Sequence, residues 1–182
     1  MKYLLLVFVL LAALTTQAHA SSLPQADFGG LHLGLGSGPS ASLEFGLSPQ
    51  LALGGAIASP LLLGGLGVAR YEGHVSYRLL SSEAVDVAVI AGAFGDLNLA
   101  QRADLSLSPF GLELGLGIAW HVTKLISVRV NIVPGLSFPK ASSLGLFPPA
   151  GGIEVGYHPI PALEVTAGFN GNGDLFGFNY RF

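Results

Sequence analysis

Charged and histidine side chains in this sequence stand at alternate positions of otherwise apolar segments. Glu113 lies between Leu112 and Leu114, and Arg129 lies between Val128 and Val130. Because alternate residues of a β-strand point to one face, this spacing gathers ionisable groups on a common surface. Such groups form ion pairs and hydrogen bonds, and converging histidines and carboxylates can hold a metal or transfer protons. The candidates are Glu44, Arg70, Glu72, Arg78, Asp86, Glu113, Arg129, Glu154, Glu164 and Arg181, together with His32, His74, His121 and His158.

The spacing of these residues matches no metal-binding or catalytic motif. The four histidines fall in four separate alternating segments, and the chain contains neither HxH nor HExxH. The absence of Cys removes thiolate ligands and a thiol nucleophile. The glycine-rich stretch 34–38 lacks the Lys of a phosphate-binding loop. We therefore expect a non-enzyme without metal or cofactor, in which the charged set forms an interior network of ion pairs.

The alternating pattern extends along most of the chain and predicts an all-β protein. Its ten strands are expected at 28–36, 41–48, 51–58, 67–79, 84–94, 110–122, 125–133, 150–158, 162–170 and 174–182; eight strands is the alternative count. The longer connections, 59–66, 95–109 and 134–149, fall at the same end of an up-and-down meander. The uncharged segment 45–69 is a poor membrane helix, because it contains Pro49, Pro60 and six glycines.

The amino-acid composition limits the classes of protein to which this chain can belong. Only 10% of the 182 residues are charged, against roughly 25% in an average soluble domain, and the mean hydropathy is +0.61. The formal net charge of −3 gives no basic surface for nucleic acid. Lys2, the apolar run 4–14 and the small-x-small sequence Ala18-His19-Ala20 predict a cleaved signal peptide over 1–20. The expected mature domain is 21–182.

The composition of the two strand faces favours a membrane barrel over a soluble sandwich. Glycines accumulate on the charged face, as expected for the crowded interior of a narrow barrel. The other face is Leu, Val, Ile and Phe without charge, and a bilayer requires a closed barrel so that every strand N–H and C=O is paired. Tyr77, Trp120 and Tyr157 fall near one end of the predicted strands and are expected to form an aromatic girdle with Tyr180 and Phe182. The predicted fold is a closed antiparallel up-and-down transmembrane β-barrel.

The last predicted strand carries alternating aromatic residues and ends on one. Phe178, Tyr180 and Phe182 resemble the C-terminal strand signal of Gram-negative outer-membrane β-barrel proteins. That resemblance implies an integral outer-membrane location, contact with outer-membrane lipid and recognition by the barrel assembly machinery. Two enzyme families of such barrels fit poorly. The long connections lack the histidine that omptin proteases need at their rim, and 163–182 lacks the His-x-Ser pair of lipid A deacylases.

The expected function is therefore a structural or narrow porin-like role with a mostly occluded lumen. A first alternative is a barrel that transports or binds small hydrophobic solutes, since apolar residues in the long connections, such as Leu61–Leu63 and Phe138, could bind a hydrophobic ligand or another envelope protein. A second alternative is a soluble secreted binding protein, either calycin-like or a sandwich, with its apolar face inside.

Overall fold

The computed structural model describes residues 23–24, 30–59, 67–101, 107–138, 144–145 and 148–182. The predicted signal peptide, Leu61–Leu63 and Asp104 lie outside the described residues. Among the described residues no helix is long and apolar enough to cross a membrane.

The chain folds into β-strands only, and they close into a ten-stranded antiparallel barrel. The strands are β1 (Leu31–Gly36), β2 (Ser40–Gly46), β3 (Leu51–Ala58), β4 (Val68–Ser81), β5 (Val85–Asn98), β6 (Phe110–His121), β7 (Ile126–Ile132), β8 (Gly135–Phe138), β9 (Leu144–Gly145), β10 (Gly152–Ile160), β11 (Leu163–Asn170) and β12 (Phe176–Arg181). Neighbours in sequence pair around the wall, and β12 closes the ring by pairing with β1. The predicted fold class and strand count of ten are confirmed.

Two of the twelve strands extend the wall without adding to the ring. β8 pairs with β6 in the same register as β7, so β7 and β8 form one wall strand interrupted at Val133–Pro134. β9 pairs with β8 as a short hairpin beyond the wall. The sequence analysis placed 95–109 and 134–149 in connections, and it was wrong for 95–98, 135–138 and 144–145, which are strand. Pro134 has no N–H to donate, but its carbonyl accepts a bond from the Leu114 N–H at 3.2 Å, and the ladder resumes beyond it.

The barrel has two unlike ends. The short connections 47–50, 82–84, 122–125 and 161–162 lie at one end together with the start of β1 and the end of β12; we call this the turn end. The opposite end, the loop end, is where β1, β3, β5 and β11 end, and it also carries the short turns 37–39 and 171–175. This division of the connections between the two ends follows from the up-and-down order, because each wall strand runs antiparallel to the one before it.

The side chains are inverted relative to a water-soluble fold. Leu112, Leu114 and Leu116 are 49%, 61% and 44% exposed on the outer surface, whereas Glu113 and Arg129 are 4% and 2% exposed inside the barrel. The arrangement with the apolar face inside, which the second alternative assumed, is not the one that the structure has. The interior also holds a small apolar cluster of Ile90, Val133 and Ala150.

Candidate functional site

The lumen gathers most of the ionisable side chains, because charged residues occupy the inward positions of nearly every strand. The register aligns His32, Glu44, Gly54, His74, Gly92 and Glu113 in one row that crosses β1 to β6. Strand neighbours in such a row are held side by side, so the imidazoles and carboxylates lie within reach of one another. This row and its neighbours form the candidate functional site.

His74 is the centre of the row. Its Nδ1 lies 2.5 Å from Glu72 Oε1, and its Nε2 lies 3.9 Å from Glu44 Oε1. The side chain fits because Gly54 stands directly opposite on β3, and a Cβ at Gly54 would overlap the imidazole Nε2. The His74 imidazole therefore lies between two carboxylates, those of Glu72 and Glu44. Glu113 accepts a 3.4 Å hydrogen bond from the Ala150 N–H, so Ala150 lies at the inner side of the barrel wall.

A second cluster surrounds Glu164 on β11. Arg129 Nη2 donates to Glu164 Oε1, and Asn179 Nδ2 donates to Oε2 at 2.9 Å. His158 Nε2 also lies 3.2 Å from this carboxylate, and Ser127 Oγ donates to it at 3.2 Å. Glu164 thus has four neighbours from three other strands, β7, β10 and β12, and these contacts hold this part of the wall together.

The other charged residues form smaller groups. At the turn end Asp86 lies 2.7 Å from His121 Nε2 and 3.9 Å from Arg78 Nε. There, too, Arg181 Nε donates to His32 Nε2 at 3.0 Å. Glu154 accepts a 3.3 Å bond from Asn170 Nδ2.

Two further acids, one of them in the predicted connection 95–109, are structural residues of the loop end. Asp96 lies inside β5, where it receives Arg70 Nε and Nη2 at 2.7 and 3.2 Å. Asp174 accepts bonds from the Gly38 N–H and Ser40 Oγ, both at 2.9 Å. The alternation of β5 continues through Phe94 to Asp96, and this signal could have placed Asp96 inside the barrel.

Buried side chains fill much of the lumen in the part of the chain that the structure describes. Leu23 and Pro24 lie inside it, and they share with Glu44, His74 and Asn179 a cavity of about 10 Å³, no larger than one water molecule. A second cavity of about 10 Å³ lies beside Glu164. At the turn end the lumen opens into a cavity of about 870 Å³ bordered by His121, His158 and Arg181.

Three further features concern the predicted site residues. In the part of the chain that the structure describes, no group of three or more His, Asp or Glu is placed to hold a metal ion. Tyr77, Trp120, Tyr157, Tyr180 and Phe182 lie towards the turn end and are exposed on the outer surface. The rings of Tyr180 and Phe182 meet edge to face with centroids 4.9 Å apart.

Comparison with protein-family models gives no match to this chain, and comparison with curated proteins gives no relative.

Proposed function

We propose that this chain is an integral β-barrel of a bacterial outer membrane, with a structural role and a lumen closed by its own side chains. The observation that carries the proposal is the outer surface, where Leu, Ile, Val and Phe are exposed on all sides while the charges lie inside. Exposed apolar area is unfavourable in water by about 25 cal/mol per Å², and acyl chains remove that cost. The turn-end aromatic residues fit the interfacial position that such rings favour.

The closed lumen supports a structural role over a porin-like one. Ion pairs line the inner side of the barrel wall. Leu23, Pro24 and residues 148–151 are buried as well. An apolar solute would find a lumen lined mainly by Arg, Glu, His and Asn, so the hydrophobic-transport alternative gains no support inside the barrel. In planar bilayers we expect no steady current, and a conductance of several hundred picosiemens would contradict the closed lumen.

A single outer-surface substitution tests the membrane location. Leu114→Arg places a charge on the face that the proposal assigns to acyl chains, where Arg costs about 2–4 kcal/mol near the bilayer midplane. Gln50→Arg, at an exposed turn, is the matched control. After export in a Gram-negative host, we expect heat-modifiable outer-membrane protein from the parent and the control and much less from Leu114→Arg. Recovery of all three from the periplasm without detergent would refute the proposal.

A further inference from the structure

Three cavities follow one another from the turn end to the centre of the barrel. The open cavity of about 870 Å³ and a small inner cavity of about 10 Å³ are both bordered by His158 and Arg181. This inner cavity and the central cavity beside His74, also about 10 Å³, are both bordered by His32 and Asn179. The three cavities are therefore neighbours, and His32 and Asn179 stand between the inner and the central one.

Each of the two small cavities has the size and the lining that an ordered water requires. A buried water needs a volume of roughly 10–15 Å³ and two to four hydrogen-bonding partners. The inner cavity is bordered by His32, His158 and Glu164. The central cavity is bordered by His32 again, together with Glu44 and His74. Both cavities thus meet the two conditions for a bound water.

One separation at the central cavity has the length that a bridging water produces. His74 Nε2 lies 3.9 Å from Glu44 Oε1, whereas a direct N–H···O hydrogen bond is about 2.7–3.2 Å long. Both residues border the cavity, so a water there can bond to the two atoms at once. The other ring nitrogen of His74 lies 2.5 Å from Glu72 Oε1. The imidazole therefore connects this water position to Glu72.

Water and imidazole both pass protons on, whereas dissolved ions do not fit this space. A histidine exchanges protons at its ring nitrogens, and water chains take part in proton transfer. A solute ion would have to lose its hydration shell to enter a cavity of one water, which is very costly. The series of cavities is thus suited to water and protons.

We infer that the inner and central cavities each bind one water molecule, and that these waters connect His74 with the solution at the turn end. Protons reach the pair of His74 and Glu72 along this route. The strands beside β4 place glycines opposite His74, Gly54 and Gly92. The other ionisable side chains in or beside its row are Glu72, Glu44, His32 and Glu113.

Exchange of the Cε1 proton of His74 for deuterium tests the route. This exchange requires water at the imidazole, and His74 is only 7% exposed. The barrel is incubated in deuterium oxide in detergent micelles, and peptides with one histidine each are analysed by mass spectrometry. His121, at the open turn-end cavity, is the internal reference. The rate is followed over a range of pH, because altered protonation of His74 moves the midpoint of the profile, whereas lost access to water lowers its plateau.

Two substitutions of His32 distinguish a blocked route from an altered site. His32→Phe places an apolar ring between the two small cavities. We expect it to lower the His74 plateau about tenfold or more, because exchange then requires local opening of the barrel. His32→Gln retains a side chain that bonds to water, and its His74 plateau should stay close to that of the parent. His121 should exchange at the parent rate in both variants.

Equal His74 plateaus in the parent and in His32→Phe would overturn the inference, as would equally low plateaus in both His32 variants or a parent His74 that does not exchange. If His32→Phe does not fold, Ser42→Val narrows the central cavity from β2 and should slow His74 in the same way, with Ser42→Ala as its control. An unchanged plateau in Ser42→Val then overturns the inference. The barrel is studied in micelles, so the outcome is independent of the membrane location.

Discussion

Gly54 is a position at which a single methyl group should disturb the charged row. A Cβ there would overlap His74 Nε2, so the imidazole must move and its 2.5 Å contact with Glu72 is lost. Losing a hydrogen bond between charged groups costs about 1.5–3 kcal/mol, and overfilling a packed site costs about 1–3 kcal/mol. We expect Gly54→Ala to lower the free energy of unfolding by about 2.5–6 kcal/mol, the sum of these two costs.

Gly73 is the matched control for this substitution. It pairs directly with Gly55 on the neighbouring strand but faces outward, and a Cβ there would meet nothing nearer than 3.9 Å. Neither Gly54 nor Gly73 has a positive φ, so Ala brings no backbone strain at either position. Gly73→Ala should be neutral or should stabilise by about 0.4–1 kcal/mol, because Ala restricts the unfolded chain.

The assay is urea unfolding in lipid vesicles, followed by the fluorescence of Trp120, the single Trp of the chain. A His74→Ala background adds a second test, because the methyl group then meets no imidazole and Gly54→Ala should cost much less. The reasoning is refuted if Gly54→Ala is as stable as Gly73→Ala, or if it costs the same with and without His74.

Other contacts give independent tests. Replacing Arg129 by Leu leaves the buried Glu164 carboxylate without its guanidinium partner and should cost about 3–5 kcal/mol in urea unfolding; replacing both residues by Leu should recover part of that loss. Asp174→Ala removes the acceptor of Gly38 and Ser40, so amide hydrogen exchange at Gly38 should accelerate, and unchanged exchange would contradict the assigned role. Deleting Phe182 should reduce the heat-modifiable fraction in the membrane, and an unaltered fraction would count against the C-terminal signal.

Strands and their faces were predictable because side-chain direction in a strand is a local property. The segment 51–58 consists mostly of Ala, Gly and Leu, yet β3 spans the predicted residues. The strands on both sides of it, β2 and β4, alternate clearly between apolar and polar residues. The short turn at 48–50 also limits the possible register between β2 and β3. Prediction failed where a turn-forming residue sits inside a paired strand. Pro134 looked like the end of a strand, but β6 continues past it and supplies the pairing partner for β8.

The sequence alone thus determined the all-β class, the number of strands in the ring and the two unlike faces of each strand. It could do so because the alternation of apolar and polar residues is a local property of the sequence. Only the tertiary structure decided which interior groups meet. Arg129 and Glu164 are 35 residues apart, and β10 stands between their strands. The entry of Leu23 and Pro24 into the lumen had no signal in the alternation. Such contacts depend on the register of every strand pair and on closure of β12 against β1, and these are properties of the whole ring.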